Sequence, residues 1–176
     1  MSEEIAIKNA TGDKEIYEEL FPQIRSLLSE DENVLSNMSN FIAAINQSFE
    51  KISWIGFYFK TEREKLTLGP FQGKTACTTI TIGGGVCGTA AAERETVIVK
   101  DVNEFPGHIA CDADSRSEIV VPLISKDELL GVLDLDSYDL AAFDEIDKFF
   151  LEKFVHEFIS RFGAELKKML SSISKL

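Results

Sequence analysis

Between Gly131 and Asp136 the chain reads Gly131-Val132-Leu133-Asp134-Leu135-Asp136. Side chains alternate across a β-strand, so Leu133 and Leu135 share one face and Asp134 and Asp136 share the other. A chain with such a strand must roof one sheet face with apolar elements. It must also give the aspartate side either a polar pocket or open solvent.

Three segments have the helical spacing needed for that roof. Residues 13–30 carry Ile16, Leu20, Ile24 and Leu27 on one stripe, with Asp13 as N-cap, and Pro22 predicts a break or kink near Phe21. Residues 32–49 place Val34, Leu35, Met38, Ile42, Ile45 and Phe49 on one side. Residues 143–170 carry Phe143, Ile146, Phe150, Phe154, Phe158, Phe162 and Leu166, with Asp139 and Asp144 favouring the start.

At Lys51 the period changes to two. Residues 52–59 and 66–71 read as strands joined by a polar turn, with Gly69-Pro70 ending the regular part of the second. A short strand at 78–82, a small-residue helix at 86–93 and a strand at 96–99 follow. A long loop spans 102–117, and two strands, 118–124 and 129–136, are joined by a turn at Lys126-Asp127-Glu128. The hairpin joins predict an α+β fold with a central antiparallel sheet. The N- and C-terminal helices cover one face; loops and the small helix cover a ligand pocket on the other. No linker or repeat interrupts the chain, so residues 1–176 are expected to form one domain.

Composition excludes some partners. A net charge of −12 on 176 residues argues against nucleic acid and anionic membranes, which need basic patches. No apolar run is long enough to span a bilayer, and Met1-Ser2-Glu3-Glu4 lacks the features of a secretory leader, so a cytoplasmic location is expected. In that reducing compartment three cysteines are not a disulfide framework.

Cys87 lies among small apolar residues, where a cysteine is commonly a buried hydrophobe. Cys111 sits in the long loop beside Asp112, Asp114, Ser115 and Arg116, the setting of a functional thiol. Glu118 points away from Ile119 and Val121 and so joins the aspartate side. On the first strand Trp54 and Tyr58 share a face opposite Ile55, Phe57 and Phe59. The carboxylates form either a solvated sheet face or a pocket floor, and the two aromatics either core or pocket wall. Gly83-Gly84-Gly85 precedes the small helix but lacks the Lys-Ser/Thr of a phosphate loop; it reads as a tight backbone approach with a helix N-terminus facing the site.

Three close carboxyls cannot all ionise cheaply, so one stays protonated and can donate to a substrate oxygen. The remaining negative charge suits an ammonium group, and an aromatic wall suits a methyl or thioether. A cysteine supplies a soft nucleophile, provided Arg116, His108 or backbone N–H groups offset the acidic surroundings. An oxidised sulfur compound carrying an amine and a methyl meets these requirements. A zinc site built from Cys77, Cys87, His108 and Cys111 lacks a paired Cys-x-x-Cys.

Several segments together resemble the GAF-domain free methionine-(R)-sulfoxide reductases. They are Gly69-Pro70-Phe71-Gln72-Gly73, Gly85-Val86-Cys87-Gly88-Thr89-Ala90, residues 105–112, Ser115-Arg116-Ser117-Glu118-Ile119-Val120-Val121-Pro122 and residues 131–137. The resemblance implies that Cys111 attacks the sulfoxide sulfur and becomes a sulfenic acid as methionine leaves. It implies that Cys77 resolves this acid into a Cys77–Cys111 disulfide, that Cys87 is an alternative or relay thiol, and that thioredoxin reduces the disulfide. Glu118 and Asp136 match carboxylates that activate the oxygen and hold substrate, Asp134 is assigned to the ammonium, and Trp54 and Tyr58 match the aromatic pocket. No metal or cofactor is implied. The GAF fold is also used by non-catalytic sensors of small ligands, which is the alternative reading. Oligomeric state is left open, a homodimer included.

Overall fold

The computed structural model describes residues 4–109 and 111–173. Residues 1–3, on which the leader reading rests in part, and Ala110 lie outside the described residues. Helices α1 (Asp13–Leu27) and α2 (Val34–Asn46) precede strands β1 (Trp54–Glu62) and β2 (Lys65–Gln72). Strand β3 (Thr79–Thr81), helix α3 (Gly85–Glu93) and strand β4 (Val97–Val99) follow. A 3-10 turn (Val102–Glu104), strands β5 (Ser117–Ser125) and β6 (Glu128–Ser137) and helix α4 (Glu145–Ile173) complete the described chain. The strands form one sheet in the order β3-β2-β1-β6-β5-β4, each neighbouring pair antiparallel.

The two faces of the sheet separate as the alternation requires. Ile55, Phe57 and Phe59 of β1, Ile119 and Val121 of β5, and Leu133 and Leu135 of β6 are buried with the apolar stripes of α1, α2 and α4. Phe150, Phe154, Phe158 and Phe162 recur every fourth residue, so α4 presents one aromatic ridge to the core, where it meets Tyr17 of α1, Phe41 of α2 and Phe57 of β1. Each phenylalanine buried there stabilises the fold by roughly 1.5–3 kcal/mol. On the opposite face a smaller cluster joins Trp54, Tyr58, Val120 and Val132 to Val86, Cys87, Ala90 and Ala91 of α3.

Register decides which face receives the aspartates. The β5–β6 turn is a two-residue one, with Lys126 at φ 49° and Asp127 at φ 65°. Near it Ser125 pairs with Glu128 and Ile124 with Leu129; beyond it Leu123 pairs with Gly131 and Glu118 with Asp136. One extra residue of β6, Leu130, is therefore taken up as a bulge. Without it Glu118 would face Leu135, and the carboxyls of the two strands would fall on opposite sides.

Several local expectations are corrected. Gly12, not Asp13, is the N-cap of α1, with no side-chain cap; Glu15 instead accepts from Thr11 N at 2.9 Å. Helix α1 continues through Pro22 to Leu27. The proline removes one backbone bond, but Leu20 and Ile24 on either side are fully buried and hold the helix on the core. Leu35 and Ile146, assigned to apolar stripes, are exposed. Asp144 caps α4, accepting from Ile146 N at 2.7 Å, whereas Asp139 lies in the preceding turn. The regular pairing of β2 does break at Gly69-Pro70, as expected, although the strand resumes and runs to Gln72. Between the pairs Gly56–Phe71 and Tyr58–Leu68 it spends one residue more than β1, so the dipeptide forms a bulge within the strand.

Candidate active site

The cross-strand pairs bring three carboxyls together. Asp136 lies opposite Glu118 on β5 and opposite Trp54 on β1, while Asp134 lies opposite Val120 and Gly56. Glu118 and Asp134 are each 6% exposed. The three form the floor of a pocket walled by Trp54 and Tyr58, with His108, Ile109, Cys111 and Ser115 of the long loop and the N-terminal end of α3, including Cys87, around it.

The wall depends on Gly56, which sits between the two aromatics on the same face. A Cβ there would come 2.4 Å from the Trp54 ring and 2.5 Å from Phe71 Cβ. Without it, Trp54 lies across the strand, its ring centroid 5.9 Å from Tyr58 and 5.5 Å from Phe71. The polar ends of both rings tie down the segment leading to Cys77: Trp54 Nε1 donates to Lys74 O (3.0 Å), and the Tyr58 hydroxyl donates to Cys77 O (2.9 Å).

Cys77 and Cys111 are joined by a disulfide, Cα–Cα 5.4 Å. The loops carrying them therefore meet over the pocket. In this closed form the pocket retains about 40 Å³ of space for solvent, room for a few waters. Cys87 is free and buried, with its thiol directed at Glu118 Oε1 at 3.9 Å.

Electrostatics divide the carboxyls. Burial, then the charges of Asp134 and Asp136, push Glu118 well above the ordinary carboxyl range. Burial and the Asp136 charge do the same to Asp134. Asp136 is pushed up only to about 6, by burial, and the hydroxyl of Ser115 opposes that shift by donating to Oδ1 at 2.6 Å. At neutral pH Asp136 is thus the first to ionise, and Glu118 and Asp134 are held as neutral acids. Burial and the same acids keep Cys87 a thiol. Burial lowers the pKa of His108, whose Nε2 lies 4.0 Å from Glu118 Oε2. Among the described residues Asp134 Oδ1 is buried without a hydrogen-bond partner.

Comparison with known proteins fits this geometry. Residues 30–158 match the model of the GAF domain family. The free methionine-R-sulfoxide reductase of Saccharomyces cerevisiae is 49% identical over 147 residues, covering 80% of this chain and 82% of that protein. The enzyme of the same name from Escherichia coli is 40% identical over 158 residues, covering 90% of each. The structure of the free methionine-R-sulfoxide reductase of Neisseria meningitidis in complex with its substrate superposes with a TM-score of 0.84. It is 41% identical and covers 94% of this chain and 99% of that one.

The chain belongs to the GAF-domain free methionine-(R)-sulfoxide reductases. Of the residues marked in the sequence of this reductase family member, Trp54, Tyr58, Cys87, Cys111, Glu118, Asp134 and Asp136 line one pocket, and Cys77 is bonded to Cys111 at its edge. Arg116, offered as a partner for the Cys111 thiol, does not line it; its guanidinium lies 3.7 Å from Asp101. The four-residue zinc set is not assembled, since two of its sulfurs are bonded to each other. Cys87 Sγ and oxygens of Glu118 and Asp134 do lie within 4.8 Å of one another. Those groups are held protonated, however, and a metal would have to displace their protons.

Two residues were not singled out for their roles. Ser115 holds Asp136, and Lys74 bridges the two cysteine loops. Their partners lie 21 to 40 residues away in sequence, so no local spacing reveals them.

Proposed function

We propose that the protein reduces free L-methionine (R)-S-oxide to methionine. The observation that carries this reading is the disulfide-forming pair Cys77–Cys111 at the edge of a pocket with an acidic floor and an aromatic wall. The Cys111 sulfur attacks the sulfoxide sulfur. Glu118, held as a neutral acid, donates toward the sulfoxide oxygen, and Asp136 beside it keeps that proton in place through its charge. The oxygen passes to Cys111 as a sulfenic acid and the substrate leaves as the thioether. Cys77 then displaces the hydroxyl, giving the disulfide and water.

Trp54 and Tyr58 hold the S-methyl group. Asp134, with Oδ1 unpartnered, receives the α-ammonium and gives up its proton as the cation binds. Burial keeps Cys87 protonated, so it takes no part in the attack and serves as an auxiliary thiol once Cys77–Cys111 exchange begins. With its sulfur bonded to Cys77, Cys111 has no thiol with which to attack, so each turnover requires the disulfide to be reduced. Thioredoxin in a reducing cytoplasm is the reductant we propose.

The test is a single turnover of pre-reduced protein. Cys111→Ser should release no methionine. Cys77→Ser should release one equivalent and leave a sulfenic acid that dimedone traps. Methionine release by Cys111→Ser would overturn the assignment of the nucleophile.

A further inference from the structure

We infer that the Lys74 ammonium is an electrostatic clamp that positions Cys77 for the resolving step. The inference rests on the reductase reading. Lys74 stands three residues before Cys77, and Asp112 follows Cys111 directly. Lys74 Nζ lies 3.1 Å from Asp112 Oδ2 and 2.8 Å from Asp114 Oδ2, so an ion bridge runs beside the disulfide and joins the same two loops.

Each end of the bridge is fixed. On the Cys77 side, Trp54 and Tyr58 hold the backbone carbonyls of Lys74 and Cys77 against β1. On the Cys111 side, Asp112 Oδ1 accepts from Asp114 N at 3.0 Å, and Asp112 Oδ2 accepts from the Tyr138 hydroxyl at 3.0 Å. Lys74 Nζ also sits 4.9 Å from the centroid of the Tyr138 ring. Among the described residues, the polar contacts that run directly between the two loops are those of Lys74.

The chemistry shows where this matters. In Cys111–S–OH + HS–Cys77 → Cys111–S–S–Cys77 + H₂O, the S–O bond breaks and the S–S bond forms. The hydroxyl leaves with the thiol proton, and Cys77 is oxidised as the sulfenic sulfur is reduced. No other reactant enters, so at a given thiolate fraction of Cys77 the rate follows how often the two sulfurs meet. A bridge between the loops raises that effective concentration before any covalent link exists. The attack on substrate does not involve Cys77, and Asp114 does not line the pocket, so loss of the Asp114 arm should leave that step unchanged. Because the bridge is half exposed, salt should weaken it.

The experiment is quenched-flow single turnover of the reduced full chain with free methionine-(R)-sulfoxide, reading methionine and disulfide separately, with dimedone as trap. Asp114→Ala should release methionine at the wild-type rate but form the disulfide more slowly, by about two- to fivefold, as expected for the loss of one surface ion pair. Lys74→Met, which removes both pairs, should slow the disulfide step at least as much. Added potassium chloride should slow wild-type disulfide formation toward the Lys74→Met rate, slow Asp114→Ala less, and leave Lys74→Met unchanged. The exchanged pair Lys74→Asp with Asp114→Lys should recover part of the rate. Disulfide formation in Asp114→Ala at the wild-type rate in low salt would overturn the clamp. Equal slowing of methionine release and disulfide formation would also overturn it. Absence of methionine from the wild type would instead overturn the reductase reading beneath it.

Discussion

Replacing Ser115 with alanine tests the electrostatics of the pocket. Ser115 is 5% exposed, and its hydroxyl donates to Asp136 Oδ1 at 2.6 Å. This bond works against burial, which on its own raises Asp136 further. A hydrogen bond to a charged acceptor contributes about 1.5–3 kcal/mol. At 1.36 kcal/mol per pKa unit, its loss should raise the ionisation of Asp136 by about one to two units. The value near 6 in the wild type should then move toward 7–8 in Ser115→Ala. The assay is carboxyl-carbon NMR titration of the disulfide form, following the lowest-pKa member of the trio because the three titrate together. Asp112→Asn is a control of opposite sign, since the Asp112 charge raises Asp136. A shift of less than about half a unit in Ser115→Ala, or movement in the same direction in both variants, would refute the reasoning.

Three further outcomes follow from the fold. Asp136 holds its proton to higher pH folded than unfolded, the reverse of the usual paired carboxylate, so it favours the folded state at low pH and that advantage is lost as pH rises from about 4 through 6. The urea midpoint should fall over that window more steeply in wild type than in Asp136→Asn, and equal slopes would contradict the assignment. Lys51 donates to Asp147 at 2.7 Å and to Ala142 O at 2.9 Å, and Asp147 is 1% exposed, so Lys51→Met strands a buried charge and should cost about 3–5 kcal/mol in chemical denaturation. Gly56→Ala pushes a methyl into the Trp54 ring, which should red-shift the emission of this sole tryptophan and lower stability by about 1–3 kcal/mol; unchanged emission would count against the close approach.

Periodicity carried much of this architecture. The alternation through Leu133 to Asp136 fixed which side chains share a face, and pairing in the sheet turned that into a cluster with Glu118 and Trp54. Lateral register is another matter. It depends on the bulge at Leu130, which no hydrophobic pattern marks. Pro22 does not end α1, because helix propensity counts a lost backbone bond and not the burial of Leu20 and Ile24 beside it. Arg116 misled because nearness in sequence to Cys111 says nothing about direction at the edge of a strand, and its side chain turns toward Asp101. Ser115 and Lys74 act on partners that only the folded chain brings near.

Substrate specificity tests the central claim most directly. An acidic floor with an unpartnered Asp134 oxygen calls for a free α-ammonium, which a methionine inside a peptide lacks. With thioredoxin as reductant, turnover should be seen on free methionine-(R)-sulfoxide and be absent on the free S epimer and on either epimer within a peptide. Comparable turnover on the peptide-bound sulfoxide, or on the free S epimer, would contradict the account.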